Sequence, residues 1–340
     1  MLKALAIVMI MVHNYSHLLR GVTSENEYTF RVARTHQLLG NILHPDSSFF
    51  LHVFSFLGHY GVPVFLFLSG YGLVKKYETG GGQLLRKGKF VFSHYAKLLR
   101  LMIIGLLAFF IADYLHSQEI NTTLANFAAQ IAMIINLLTE PWSRIKPGPY
   151  WFFGLMLQLY VIYIFMLRAN GNSKTHKWVT PLLFLFLCQV VMFFRPSEDA
   201  LHWMRYNFLV AGLPFTTGLL MARYDHSLQL SRWLWLTIAI VGWIFVVIMN
   251  LKFILWLWAP LMVIVASVAL VKALPTSWHP VLVWVGGLSA MLFVIHPIVR
   301  VFLLRYGFMG TGTAYVFLTI YLILSFLLAI PYKWLLNKKW

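Results

Sequence analysis

Acidic residues and cysteine are scarce in this chain. Only 10 of its 340 residues are Asp or Glu, and Cys188 is the one cysteine. A single cysteine excludes an internal disulfide and a cysteine metal cluster. Charged residues make up 11% of the chain, against about 25% in a soluble domain, whereas 60% of the residues are hydrophobic. The composition therefore predicts an all-α integral membrane protein.

Two kinds of motif are missing as well. The chain has no Gly-rich ATP-binding loop. Asp113 is the one acidic residue inside a predicted span, whereas proton-coupled carriers commonly place carboxylates at mid-membrane. The net charge of +17 could suggest nucleic acid, but the basic residues lie between apolar runs, where they act as topology signals. We therefore expect membrane lipids around the protein and no nucleic-acid partner.

Apolar runs that could cross a bilayer recur along the whole chain. A spanning helix needs about 20 mostly apolar residues. The stretch 124–138 is short and polar, so we expect it at the membrane interface. An even number of spans puts both termini on one side, and the distribution of Lys and Arg makes that side cytoplasmic. We expect one transmembrane domain over residues 1–340, with about ten spans near 2–19, 49–74, 90–115, 150–168, 178–194, 206–222, 233–250, 253–272, 281–304 and 313–333.

The first predicted span has ionisable residues near both of its ends. Lys3 lies at its start, His13 inside it, and His17 one helical turn later. An ionisable side chain is costly in a membrane unless it is paired or faces a polar cavity. A histidine titrates near neutrality and can take the proton of a hydroxyl group. For His13 the alternative is helix packing, and for Lys3 it is anchoring at the cytoplasmic surface.

The second span ends in the sequence VPVFLFLSGYG at residues 62–72, just before Lys75 and Lys76. Its last part, Ser69-Gly70-Tyr71, is expected to form a turn. Glycine permits a close backbone approach there, and the Ser69 hydroxyl can bond a backbone carbonyl or a ligand.

Basic residues also mark the start of the third span. Lys97 and Arg100 are three positions apart, so they share a helix face. They could bind phosphate groups or extend to lipid phosphates. In the ninth span, His296 precedes Pro297 in a wholly apolar neighbourhood, and both a functional and a structural role remain open.

Histidines could also suggest a metal site. His52 and His59 are seven residues apart on nearly one face of the second span, which could lie near His13. The spans that hold these histidines contain no carboxylate and no cysteine ligand, so we expect no metal.

Taken together, these motifs resemble the membrane-bound acyltransferase 3 family, which O-acylates extracytoplasmic sugars with acyl-CoA. The resemblance rests on the basic residue and histidine of the first span, the Phe-Leu-Ser-Gly-aromatic run, the basic pair at 97–100, the aromatic start of the fourth span at 149–152, and the late His-Pro. The family usually has ten residues between its basic residue and its histidine. Here nine separate Lys3 from His13, and Asn14 occupies the usual place. His13 or His17 would therefore have to serve.

The resemblance implies an enzyme, an O-acyltransferase of a bacterial inner membrane. It would move an acyl group, acetyl first among them, from cytoplasmic acyl-CoA to a hydroxyl of an extracytoplasmic or lipid-linked glycan. His13 would be the general base or a transient acyl carrier, and His17 and His296 are the other catalytic candidates. A ten-span carrier of a lipid-linked sugar or other anionic solute is the alternative. The candidate acyl-CoA-binding residues are Lys3, Ser69, Tyr71, Lys75, Lys76, Lys97 and Arg100.

Overall fold

The fold is a bundle of helices. A computed structural model describes residues 1–79, 86–120, 122–169, 174–224, 228–304 and 312–337. These residues contain helices joined by loops and short 3₁₀ and π segments, and no strand. The α-helices, in chain order, are α1 Leu2–Ser16, α2 Val32–Leu43, α3 Phe49–Leu57, α4 Gly61–Val74, α5 Lys87–Ser117, α6 Leu124–Ile131, α7 Pro141–Arg144, α8 Trp151–Ile162, α9 Thr180–Phe193, α10 Glu198–Arg205, α11 Phe208–Tyr224, α12 Arg232–Met249, α13 Phe253–Trp256, α14 Ala259–Ala273, α15 His279–Leu304 and α16 Ala314–Asn337.

Seven helical segments in the described residues are long and apolar enough to cross a membrane, which confirms an all-helical integral membrane protein. Three shorter apolar helices, α1, α11 and α14, coincide with the other predicted spans. The total of about ten spans and the cytoplasmic location of both termini stay predictions. The seven long segments are Phe49–Thr79, Lys87–Ser117, Gly148–Leu167, Thr175–Phe193, Arg232–Met249, Thr276–Leu303 and Ala314–Leu336.

Two local expectations can be compared directly with the structure. The turn expected at Ser69-Gly70-Tyr71 is wrong, because these residues lie inside α4. The Ser69 hydroxyl donates to the carbonyl of Phe65 at 2.8 Å, one helical turn back, as serine does within a continuous helix. The stretch 124–138 forms the eight-residue α6 and a 3₁₀ turn at Ile135–Leu137, which are too short to cross a bilayer.

The first helix is central in the bundle. It packs against α3, α4 and α15, and most of its residues are buried. Gly58, which follows α3, touches α1 at the level of His13, since a Cβ atom there would lie 2.6 Å from the Cβ of His13. Gly70 and Gly218 let α4 and α11 approach closely, because a Cβ on either would meet the backbone of the other helix. The close backbone approach expected at Gly70 is therefore present.

The loop after α1 folds back over the end of that helix. The indole nitrogen of Trp256 donates to the carbonyl of Asn26 at 3.0 Å, and Asn26 donates to the side chain of Asn250 at 3.3 Å. These contacts place Glu25 and Glu27 over the His17 end of α1. We call this side of the bundle the Glu27 end and the opposite side the Lys3 end.

Candidate active site

His13 is held by a backbone carbonyl that determines which of its nitrogens carries the proton. Its Nδ1 atom lies 2.8 Å from the carbonyl oxygen of Ser55, and the residue is 2% exposed. A carbonyl oxygen can only accept, so Nδ1 must be the donor. In the neutral ring Nε2 then has the lone pair. The hydroxyl of Ser55 donates to the carbonyl of Thr23 at 2.6 Å, which ties this part of α3 to the loop.

His17 continues this hydrogen-bond chain. Its Nδ1 atom lies 3.2 Å from Nε2 of His13. Because Nε2 of the neutral His13 is an acceptor, Nδ1 of His17 must donate. The remaining lone pair of the two rings is on Nε2 of His17, which makes no hydrogen bond within the described residues. His17 lines a cavity, so the basic nitrogen of the pair belongs to the ring that faces open space.

Glu27 is next to the same atom of His13. Its Oε2 oxygen lies 3.4 Å from Nε2 of His13, and its side chain is 12% exposed. Arg205 donates from Nε to the carbonyl of Glu27 and so anchors the loop. A carboxylate here stabilises a positive charge on His13. Burial raises the pKa of neighbouring Glu25, and the proximity of His13 partly opposes that shift.

Neither glutamate was a candidate from the sequence. The available signal was that two of only ten acidic residues lie soon after the first span, in a long segment. Their approach to His13 depends on the loop folding back.

The cavity that His17 lines, called here the His17 cavity, has a volume of about 210 Å³. Polar side chains occupy part of its wall, and aromatic rings form much of the rest. The rings of Tyr28 and Tyr206 stack with centroids 4.9 Å apart. The polar residues are Asn14, His17, Glu27 and Arg300, and the aromatic ones are Tyr28, Trp151, Phe152, Tyr206 and Phe293. A few polar groups in an aromatic cavity are typical of a ligand site.

Arg300 reaches this cavity from α15. Its NH1 nitrogen donates to the backbone oxygen of Asn14 at 3.0 Å and to Oδ1 of Asn14 at 3.1 Å. The asparagine at the family's histidine position thus binds an arginine that the sequence reading did not select. His296, one turn before Arg300, directs Nδ1 to the carbonyl of Leu292 at 3.0 Å. Its Nε2 is buried without a partner in the described residues, and the structure does not place it in the wall of the cavity.

A second cavity of about 210 Å³ lies at the Lys3 end and is called the Lys3 cavity. It brings together Lys3, Ser69 and Lys76, three of the candidate acyl-CoA-binding residues, with His94 and Tyr160. The ten positions from Lys3 to His13 correspond to about 15 Å along a helix. The two cavities therefore lie at different depths along α1.

The other four candidates lie outside the wall of this cavity. Lys75 places its Nζ atom 5.7 Å from the ring centre of Tyr71. Lys97 is exposed on α5. Arg100 donates to the carbonyl of Leu336 at 2.7 Å, which links α5 to the end of α16.

Phenylalanine rings from the walls of the two cavities contact one another. Phe65 lines the Lys3 cavity, whereas Phe152 and Phe293 line the His17 cavity. The ring centres of Phe65 and Phe152 are 6.5 Å apart, and those of Phe152 and Phe293 are 5.3 Å apart.

The structure also bears on metal binding. His13, His17 and Glu25 offer ligand atoms within 4.8 Å of one another, a set that could hold an ion. The carboxylate of this set comes from the loop after α1 and not from a span, so the scarcity of carboxylates in the spans does not keep one from the histidines. The expectation of no metal stays a prediction.

Residues 1–334 match the family model Acyl_transf_3, described as an acyltransferase domain. Searches of curated proteins and of solved structures give no significant match. The matched region includes both cavities and every candidate residue. Members of this family are membrane enzymes that transfer acyl groups other than aminoacyl groups. The helical bundle, the histidine pair of its first span and the family match over nearly the whole chain together show that the protein belongs to the acyltransferase 3 family.

Proposed function

We propose that this enzyme moves an acyl group, acetyl first among them, from acyl-CoA to a hydroxyl of an extracytoplasmic or lipid-linked glycan. The observation that supports this most directly is the hydrogen-bonded His13–His17 pair, with Glu27 beside it and a cavity in front of it. We place the enzyme in a bacterial inner membrane, with the Lys3 end in the cytoplasm and the Glu27 end outside. The membership in an enzyme family disfavours the carrier alternative.

The Lys3 cavity is the proposed donor site. Lys3 and Lys76 supply positive charge at its wall, which suits the phosphate groups of CoA. The ~15 Å from Lys3 to His13 along α1 would be covered by the extended pantetheine arm. The phenylalanine rings between the cavities would move aside as the thioester enters.

The His17 cavity is the proposed acceptor site. Tyr28, Trp151 and Tyr206 offer aromatic faces for the apolar face of a sugar ring, and Glu27 and Asn14 offer hydrogen-bond acceptors for its hydroxyl groups. An acceptor hydroxyl in this cavity would meet His17 before His13, since His13 is 2% exposed.

The histidine pair would then take the hydroxyl proton. Nε2 of His17 accepts it, while the proton on Nδ1 of His17 moves to Nε2 of His13, 3.2 Å away. The positive charge comes to rest on His13 between the Ser55 carbonyl and Glu27. In this scheme His17 is the base that contacts the substrate, and His13 stores the proton.

The test is acetyl-CoA turnover by purified enzyme in detergent, with mass spectrometry for transferred acetyl groups. His13→Ala and His17→Ala should each lower kcat by about 10²-fold or more, the contribution expected of a general base, and both should still bind CoA. His36→Ala, at an exposed histidine of α2, is the control and should leave turnover unchanged. Full activity in both His13→Ala and His17→Ala would rule out the proposed chemistry. If the wild type does not bind acetyl-CoA, the proposal that acyl-CoA is the donor is wrong.

A further inference from the structure

We propose that Arg300 binds the carbonyl oxygen of the acyl group and stabilises the negative charge that forms on it during transfer. This inference rests on the proposed function, since it adds a residue to the same reaction. Sequence motifs did not select Arg300, and its assignment comes from its contacts.

Asn14, the residue that follows His13, holds Arg300 in position. The two hydrogen bonds of Arg300 to described residues both go from NH1 to Asn14, at 3.0 Å and 3.1 Å. Arg300 lines the same cavity as His17 and Glu27. Two contacts to one neighbour fix the guanidinium plane beside the histidine pair, so its other nitrogens have a defined direction.

Most of the donors of Arg300 have no partner within the part of the chain that the structure describes. A guanidinium group has five N–H donors. Nε is buried without a hydrogen-bond partner, and no carboxylate in the described residues forms an ion pair with Arg300. Removing one partner of a buried ion pair typically costs several kcal/mol, and cations inside a membrane protein usually mark functional sites. An arginine of this kind fits a ligand that brings or develops negative charge.

Acyl transfer develops such a charge next to the base. The acceptor oxygen attacks the thioester carbon, a C–O bond forms, and the carbonyl electron pair moves onto its oxygen. When that pair returns, the C–S bond breaks, and the CoA thiolate receives the proton stored on the histidine pair. No oxidant or reductant is needed. A fixed cationic donor at the oxygen lowers the barrier because it need not reorganise as the charge appears.

A structural role makes a different prediction from the same contacts. If Arg300 serves to tie α15 to α1 through Asn14, its loss lowers thermal stability, and any loss of activity follows the loss of folded protein. If it binds the acyl oxygen, its loss lowers kcat while folding and CoA affinity are kept.

The experiment compares wild type, Arg300→Gln, Arg300→Lys and a control, Arg144→Gln. Arg144 is the last residue of the short helix α7 and lines neither cavity. Acetyl-CoA turnover gives kcat and KM, calorimetric titration gives the affinity for CoA, and a thermal melt reports folding. We expect Arg300→Gln to lower kcat by about 10²- to 10³-fold, as for loss of one oxyanion donor. CoA affinity and the melting temperature should stay close to those of the wild type. Arg300→Lys should lose less, since it keeps the charge without the planar fork.

Three outcomes overturn the inference. Wild-type kcat in Arg300→Gln shows that the guanidinium is not needed. Equal losses in Arg300→Gln and Arg300→Lys, with matching losses of melting temperature, assign it a structural role. A wild type that binds acetyl-CoA but does not turn it over refutes the proposed function itself and the inference with it.

Discussion

Arg223, which is buried, and Arg300, which is half-buried, have opposite surroundings. Arg223, at the Lys3 end, binds both carboxylate oxygens of Glu78 at 2.8 Å and the carbonyls of Leu167 and Lys177 at 2.7 Å and 2.8 Å. All three of its nitrogens have partners. Arg300, at the Glu27 end, has two bonds from a single nitrogen, both to Asn14.

This difference distinguishes an arginine with a structural role, Arg223, from one that is a candidate for ligand binding, Arg300. A buried ion pair in which every guanidinium nitrogen has a partner holds helices together and has little capacity left for a ligand. A half-buried cation with unused donors in the wall of a cavity has such capacity. The Arg223–Glu78 pair joins α11 to the segment after α4, whereas Arg300 lies with the histidine pair where α1, α15 and the folded-back loop meet.

The largest expected effect comes from breaking the satisfied pair. Arg223→Gln leaves the carboxylate of Glu78 buried, since the two side chains are 1% and 7% exposed. We expect a loss of about 3–5 kcal/mol in the free energy of unfolding, measured as a lower melting temperature and poor recovery from detergent. The double variant with Glu78→Gln should regain part of the loss. An unchanged melting temperature in the single variant would remove the contrast between the two arginines.

The next effect concerns catalysis and not folding. Glu27→Gln removes the negative charge 3.4 Å from Nε2 of His13, so the proton stored there loses its stabilisation. We expect kcat for acetyl-CoA turnover to fall by about 10²-fold, the lower end of a general-base contribution, with the melting temperature kept. Glu119→Gln, at an exposed glutamate, is the matched control. Equal activity in the two variants would exclude Glu27 from the site.

A smaller effect is expected at the Lys3 cavity. Lys76 and Glu78 belong to the same segment, Lys75–Thr79, but Lys76 lines the cavity whereas Glu78 pairs with Arg223. Lys76→Ala should raise the KM for acetyl-CoA by about 5- to 10-fold, the size of one typical hydrogen bond, and leave kcat unchanged. Lys97→Ala should change KM less, because Lys97 is exposed on α5 and does not line this cavity. A larger effect from Lys97 would move the phosphate site towards α5.

The smallest expected effect is a pH dependence of stability outside the spans. His202 stacks on Trp142 with ring centres 4.0 Å apart, and burial lowers the pKa of His202. Protonation therefore favours the unfolded state, so stability is lost as the pH falls through the ordinary histidine value of about 6.5. We expect the melting temperature to fall by no more than about 2 °C from this group between pH 7.5 and pH 5.5. His202→Phe keeps the stacking and should flatten that part of the pH profile, and an identical profile would assign the pH dependence to other groups.

Much of the architecture could be predicted from the sequence, because a membrane-spanning helix is a local property. Apolar runs of sufficient length must form helices, since a bilayer offers no partner for backbone N–H and C=O groups. Seven long helices and three shorter ones coincide with the predicted runs. The family motifs are local too, and the match over residues 1–334 confirms the family that they indicated.

The composition of the site depended on contacts between distant parts of the chain. Lys3, Ser69 and Lys76 were candidates from their motifs, and the packing of α1, α4 and the segment after it puts them around one cavity. Glu27 and Arg300 belong to no motif. They reach the histidine pair because the loop after α1 folds back and because α15 packs against α1 at Asn14.

The sequence alone determined the membrane class, the helices and the presence of an ionisable first span, since these follow from the hydropathy and spacing of neighbouring residues. Only the tertiary structure decided which histidine faces the cavity and which charges accompany it. Hydrogen bonds from His13 to the Ser55 carbonyl and from His17 to His13 assign the proton positions, and partners 42 residues apart in the chain meet only after the helices have packed.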